Sequence, residues 1–227
     1  RQMCIRDRCH STHMHLDHLS FAAQPDGYQA TAERLAEKLG LSFYDGGVHP
    51  RFGTRNLIFP LTGGHYVEVV EALEHPAALA TPYGQAVRAR SELGGGWMGW
   101  CVRTDDLTSV EERLGRKAVD GNRQAVDGPE LEWKQIGVKG LMADPQLPYF
   151  IHWLSPVADQ PGHWKSPSSD VAIKSLQIAG NRDRVREWLG TDDPKPIPEI
   201  GIDWTAPNAA PGLISATFTT PQGEVVI

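Results

Sequence analysis

Residues 46–71, GGVHPRFGTRNLIFPLTGGHYVEVVE, set two apolar segments on either side of a turn. Leu57 to Leu61 is a short apolar run, Thr62-Gly63-Gly64 supplies turn residues, and His65 to Val70 is rich in β-branched residues, so the stretch reads as a hairpin. Side chains alternate along a strand, which puts His65, Val67 and Val69 on one face and Tyr66, Glu68 and Val70 on the other. If that second face is wet, Glu68 is an ordinary solubilising charge. If it lines a cavity, the carboxylate needs a cation or hydrogen-bond donors, because an unpaired buried charge is costly.

Working outward from the hairpin, the chain repeats itself. His15 to Ala23 reads as a strand and Thr31 to Leu39 as an amphipathic helix closed by Gly40. Trp97 to Val102 and Ile173 to Ala179 are similar strands. They are followed by helices over Val110 to Leu114 and Val185 to Leu189, closed by Gly115 and Gly190, with Asn181 a candidate N-cap. The three endings are EKLG, ERLG and EWLG, and their glycines fall 75 residues apart. Strand-like material follows each helix: Leu41 to Tyr44, Leu57 to Leu61 and His65 to Val70; then Leu131 to Lys139 and Tyr149 to Leu154; then Glu199 to Trp204, Leu213 to Thr219 and Glu224 to Ile227. The fold class is therefore α+β, built from βαβββ modules, two complete and a third partial. Their expected extents are 14–75, 96–158 and 171–227. Linkers at 76–95, holding a short helix over Ala86 to Leu93, and at 159–170 are rich in Pro, Gly and Ser. Residues 1–13 show no periodicity and read as a disordered leader or scar.

Composition narrows the functional class. At 227 residues, 40% hydrophobic and 22% charged, the chain can bury a real core. A net charge of −6 argues against nucleic acid or anionic lipid as the main partner. No apolar run approaches the roughly 20 residues of a membrane span, and the N-terminus lacks the apolar core of a secretory signal, which together suggest a cytoplasmic protein. Of the three cysteines only Cys101 lies in the body, so no disulfide or CxxC zinc site is expected there. Hydrolase elbows, HExxH and dinucleotide fingerprints are missing from the sequence.

The strand opening LDHLSFAA, the GGVHPRFGTRN segment, the YVEVV strand and the repeated modules together resemble the vicinal oxygen chelate superfamily, in particular its glyoxalase-like domain proteins. The likeness covers nearly everything after Met14. It implies the glyoxalase, bleomycin-resistance and dihydroxybiphenyl-dioxygenase type of fold, in which paired modules curve around a divalent metal held on the first and last strands of each module. Carried onto this chain, the metal positions are His18, Glu68 and His152, a set suited to Fe(II), Mn(II), Zn(II) or Ni(II). The fourth expected position falls near Met98, Gly99 or Trp100, none of which is an ordinary ligand.

The segment from Gly46 to Asn56 reads as a glycine-rich loop. Its Thr54, Arg55 and Asn56 are candidate substrate contacts, and His49 is a candidate acid or base, since relatives look similar at the GG-x-HP step. Two functions remain open. One is a metal-dependent lyase, isomerase or dioxygenase acting on a small substrate with vicinal oxygens. The other is a metal-free protein that binds or sequesters a small molecule, and a homodimer is compatible with either.

Overall fold

The computed structural model describes residues 14–124, 127–165, 170–205 and 210–227, so the expected leader at 1–13 lies outside the described residues. The first unit runs β1 (His15–Ala22), α1 (Tyr28–Leu39), β2 (Tyr44–His49), β3 (Thr54–Pro60) and β4 (Tyr66–Ala72). Two linking helices follow, α2 (Pro76–Ala80) and α3 (Pro82–Glu92). The second unit runs β5 (Gly96–Arg103), α4 (Leu107–Leu114), β6 (Val119–Arg123), β7 (Leu131–Ile136), a single turn α5 (Gly140–Ala143) and β8 (Tyr149–Trp153). The third comprises β9 (Ala172–Ala179), α6 (Arg182–Leu189), β10 (Gly201–Thr205), β11 (Gly212–Thr220) and β12 (Gly223–Val226).

The first two units share one sheet in the order β2-β3-β4-β1-β5-β8-β7-β6. Within each unit the first and last strands run parallel, β1 with β4 and β5 with β8, while β1 and β5 meet antiparallel at the seam. The two halves thus have the same connectivity about that seam. At the far edges Val48 and Gln124 exchange both backbone hydrogen bonds at 3.0 Å, which curls the sheet until its ends touch. The third unit keeps the strand–helix–three-strand order along the chain but connects its sheet differently. Its order is β10-β9-β11-β12, with β9 inside and paired parallel to β10. No helix among the described residues is long and apolar enough to cross a membrane.

Burial separates the two faces of the curled sheet. On one, Leu16, Leu19, Trp100 and Phe150 pack with Leu35 of α1, Val110 of α4 and Trp188 of α6. On the enclosed face, Ala22, Val70, Met98 and Cys101 pack with Tyr83, Ala86 and Val87 of α3. Helix α3 starts where Pro82 occupies the first turn and the Thr81 side chain accepts from the Gly84 amide. The expected linker helix is thereby a wall of the interior.

Two sequence expectations change here. Gly46 to Asn56 is not a loop. It is the end of β2, a tight turn and the start of β3, with a register shift between Asp45 and Gly47. Glycine inside a strand marks a bulge or a close approach, and both occur: Gly47 has φ +93°, and a Cβ on Gly46 would sit 2.0 Å from Asn56 Oδ1. The short polar strand β6, VDGNR, has no apolar alternation to announce it.

Candidate functional site

Side chains of both halves converge on the enclosed face. Pairing of β1 with β5 slips between Leu16 and His18, which makes Asp17 the extra residue of a bulge. Two consecutive polar residues are therefore buried, Asp17 at 2% and His18 at 3% exposure. Asp17 Oδ1 lies 2.7 Å from His18 Nδ1, and a carboxylate only accepts, so Nδ1 carries a proton. His18 Nε2 is left to face Tyr149 Oη at 2.6 Å and Glu68 Oε1 at 3.7 Å. Trp153 Nε1 donates to Asp17 Oδ2 at 3.0 Å, and Tyr66 stacks on the imidazole with ring centroids 4.5 Å apart.

Glu68 faces this cavity and is 4% exposed. Its Oε1 accepts from Ser20 Oγ and Tyr83 Oη, both at 2.6 Å, and its Oε2 from Asn56 Nδ2 at 2.8 Å. Burial pushes the carboxyl up, but His18, His49 and the hydroxyl donors outweigh it and hold Glu68 below its ordinary range. The same contest, with His18, Trp153 and Arg103 as the favourable partners, leaves Asp17 lowered. Burial raises Tyr66, Tyr83 and Tyr149 well above the usual phenol range, so all three keep their hydroxyl protons. Tyr149 Oη is also 3.2 Å from Ser20 Oγ. Because Ser20 gives its proton to Glu68, Tyr149 can direct its own to either His18 or Ser20. In the first setting Tyr149 caps the Nε2 lone pair; in the second Nε2 loses its donor, so the His18–Tyr149 and Ser20–Glu68 bonds do not join into one chain.

Each expected site residue can now be placed. His18, Glu68, His49 and Asn56 line one cavity. Thr54 is fully buried behind it, 2.9 Å from His49 Nδ1. Burial lowers the His49 pKa to about 4, so that ring is neutral near pH 7. Arg55 is not brought to the cavity. Alternation along β3 turns it to the other face, where Nε and Nη2 pair with Glu71 and the guanidinium lies over the Tyr28 ring. His152 is not brought there either, because Tyr149, Ile151 and Trp153 are the residues of β8 that point inward. Its Nδ1 instead meets the Thr104 carbonyl at 3.0 Å. The cavity also holds Tyr83, Tyr149 and Arg123, which the sequence reading missed. Only the tyrosine in the inward register of LPYFIHW gave a usable signal, since Tyr83 comes from a presumed linker and Arg123 from an unrecognised strand.

The resemblance can now be tested. A family model described as a glyoxalase-like domain matches residues 16–192. The chain belongs to the glyoxalase-like domain family. Among solved structures, a hypothetical protein from Staphylococcus aureus is similar at 14% identity and a TM-score of 0.65, covering 92% of this chain and 92% of its own. Methylmalonyl-CoA epimerase from Mycobacterium tuberculosis is similar at 13% identity and a TM-score of 0.42, over 63% of this chain and 89% of its own. A variant of that enzyme from Streptomyces coelicolor gives 16% and 0.41, over 61% and 95%. At such identities the likeness concerns the fold alone. No curated protein matches the chain significantly.

A glyoxalase-like member is expected to hold a divalent metal, and the donor set can be checked against that. Asp17, His18 and Cys101 offer ligand atoms within 4.8 Å of one another. Burial, then Asp17 and Glu68, push the Cys101 thiol well above its usual range. The two carboxylates beside the His18 ring supply the negative charge a divalent cation would need, the protonated Cys101 thiol adding none, and Asp17 on Nδ1 orients Nε2 as a ligand requires.

Proposed function

We propose that the chain is a divalent-metal-dependent glyoxalase-like enzyme acting on a small substrate with adjacent oxygens, with His18 central to the metal site. The observation that carries this reading is the fixed His18 ring, held by Asp17 at Nδ1 with Glu68 Oε1 3.7 Å from Nε2, an imidazole and a carboxylate that would together hold the ion. Fe(II), Mn(II), Zn(II) and Ni(II) suit such imidazole and carboxylate donors. Bound there, the ion would polarise substrate oxygens and favour an enediolate or related anion.

The chain's own groups have separate tasks. Ser20, Tyr83 and Asn56 orient the Glu68 carboxylate, and the Tyr149 hydroxyl, in reach of both His18 Nε2 and Ser20 Oγ, positions a donor between them. His49, kept neutral, offers a lone pair as base. Phe52 and Trp133 line the cavity as its apolar wall beside these groups. The cavity leaves about 30 Å³ for the centre of a water-sized sphere, room for about two water-sized groups. A surface groove of about 590 Å³ shares Phe52, Tyr83 and Gln135 with it and would take the remainder of a substrate.

A second reading, a metal-free binder, is favoured by one specific observation. Both Glu68 oxygens and both His18 nitrogens already have protein partners. Metal content and melting temperature of untagged protein, with and without Mn(II), Zn(II), Fe(II) or Ni(II), separate the two. The enzyme reading expects near-stoichiometric metal and a raised melting temperature in the parent, both lost in Glu68→Gln. A parent that no metal stabilises leaves only the binder.

A further inference from the structure

Arg123 is the least exposed charge in the cavity, at 1%. Strand β6 alternates so that Gly121 and Arg123 face inward, and the bare Gly121 lets the Trp133 ring close over it, since a Cβ there would meet that ring at 2.3 Å. Tyr44 Oη donates to the Pro161 carbonyl at 2.9 Å and sits against the guanidinium as a neutral hydrogen-bond acceptor. Among the described residues nothing accepts a hydrogen bond from Arg123 Nε or Nη2.

A guanidinium cannot shed its charge, so a buried one without an anion is costly. The two nitrogens left over are also the particular pair that forms one edge of the guanidinium fork. Their parallel N–H bonds match the two oxygens of a carboxylate. On the surface of the same molecule Arg55 turns this edge to a carboxylate, its Nε and Nη2 both donating to the one oxygen Oε2 of Glu71. We propose that the substrate of this site carries a carboxylate that docks side-on on the Nε and Nη2 edge of Arg123, placing the rest of the molecule between His49, His18 and Glu68. The inference rests on the cavity being the substrate site and holds with or without a metal. It names the substrate class as small carboxylic acids, opposite in sign to what the Glu68 side of the cavity would attract.

Calorimetric titration of the full chain with lactate, pyruvate and acetate, set beside the neutral lactamide and inorganic phosphate, tests it. Carboxylates are expected to bind the parent at least about tenfold more tightly than lactamide or phosphate, the scale of a charge-assisted hydrogen bond. Arg123→Met is expected to lose that preference while melting at or above the ligand-free parent, because it removes an uncompensated charge. Arg123→Lys is expected to keep the preference for anions with affinity reduced by about tenfold, since it lacks the two-point edge. Equal binding of lactate and lactamide, tighter binding of phosphate, or unchanged binding in Arg123→Met would each overturn the inference. So would an Arg123→Met protein that melts well below the parent, since the guanidinium would then be a structural member. Glu68→Gln separates this inference from the metal reading. Carboxylate binding that persists in a protein no metal stabilises leaves Arg123 standing alone, whereas normal metal uptake with no response to carboxylates removes Arg123 alone.

Discussion

His49 shows at the scale of one residue how burial sets chemistry. Its ring lies against Trp133, edge-on with centroids 5.8 Å apart, and its Nδ1 reaches only the neutral Thr54 hydroxyl. Desolvation dominates, and the pKa falls from 6.5 to about 4 despite the attraction of Glu68. The unfolded chain thus binds more protons than the native one between these values, so stability rises with pH across that window. His49 contributes its full share above pH 6.5 and loses it as pH falls through about 4, a loss of roughly 3 kcal/mol from this residue. Urea midpoints of the parent should fall between pH 6.5 and 4, and His49→Gln should flatten the fall. Some slope will remain in the variant, because His65 is also lowered by burial. Superimposable pH curves for the two proteins would mean that His49 titrates as an exposed histidine. Below this window Glu68 and Asp17 take over, since both are held under their ordinary range and lose their favourable partners only on protonation.

Elements announce themselves in sequence to the extent that their own residues carry the signal. The glycines closing EKLG, ERLG and EWLG sit at φ +64°, +61° and +70° at the ends of α1, α4 and α6, a left-handed cap that other residues resist. Substituting Gly115 by Ala meets no atom within 4 Å, so its cost is backbone strain alone, about 1 kcal/mol. Gly190→Ala adds a Cβ 2.6 Å from the Arg113 guanidinium, which donates to the Trp188 carbonyl. Chemical denaturation should therefore rank Gly190→Ala as the more damaging change, and the reverse order would refute the cap argument at α6. The grouping of Tyr66, Glu68 and Val70 on one face of β4, apart from Val67 and Val69, was legible for the same local reason, but alternation did not say which face was enclosed. Strand β6 was not, because an edge strand needs no apolar face of its own, and Arg123 went unseen with it. Arg55 and His152 illustrate the remaining gap. Residue type nominated Arg55 and the family resemblance His152, but strand phase depends on pairing with neighbours distant in sequence, and that phase turned both away from the cavity.

At the scale of the whole molecule, residues 171–227 share the core of the first two units. Trp97 packs edge-on against Phe21, stacks on Phe218 at 6.4 Å and donates from Nε1 to the Ile227 carbonyl at 2.8 Å. The Leu16 amide donates to Glu199 Oε1 at 2.7 Å, and Trp188 Nε1 to the Pro148 carbonyl at the same distance. One apolar cluster runs without a break from Met14 through Trp97 and Phe150 to Phe218. Uncovering a large apolar side chain costs about 1.5–3 kcal/mol, and exposing several consumes most of the roughly 5–15 kcal/mol that holds a domain folded. The three units should then unfold together. Urea unfolding of the full chain, followed by tryptophan fluorescence and by far-ultraviolet circular dichroism, should give coincident transitions with one midpoint. A chain ending at residue 170 should lack that cooperative transition, since Trp97, Trp100 and Phe150 would lose the side chains now packed over them. Two separated transitions in the full chain, or a cooperative fragment as stable as the parent, would show instead that the third unit is an appendage on a self-sufficient pair.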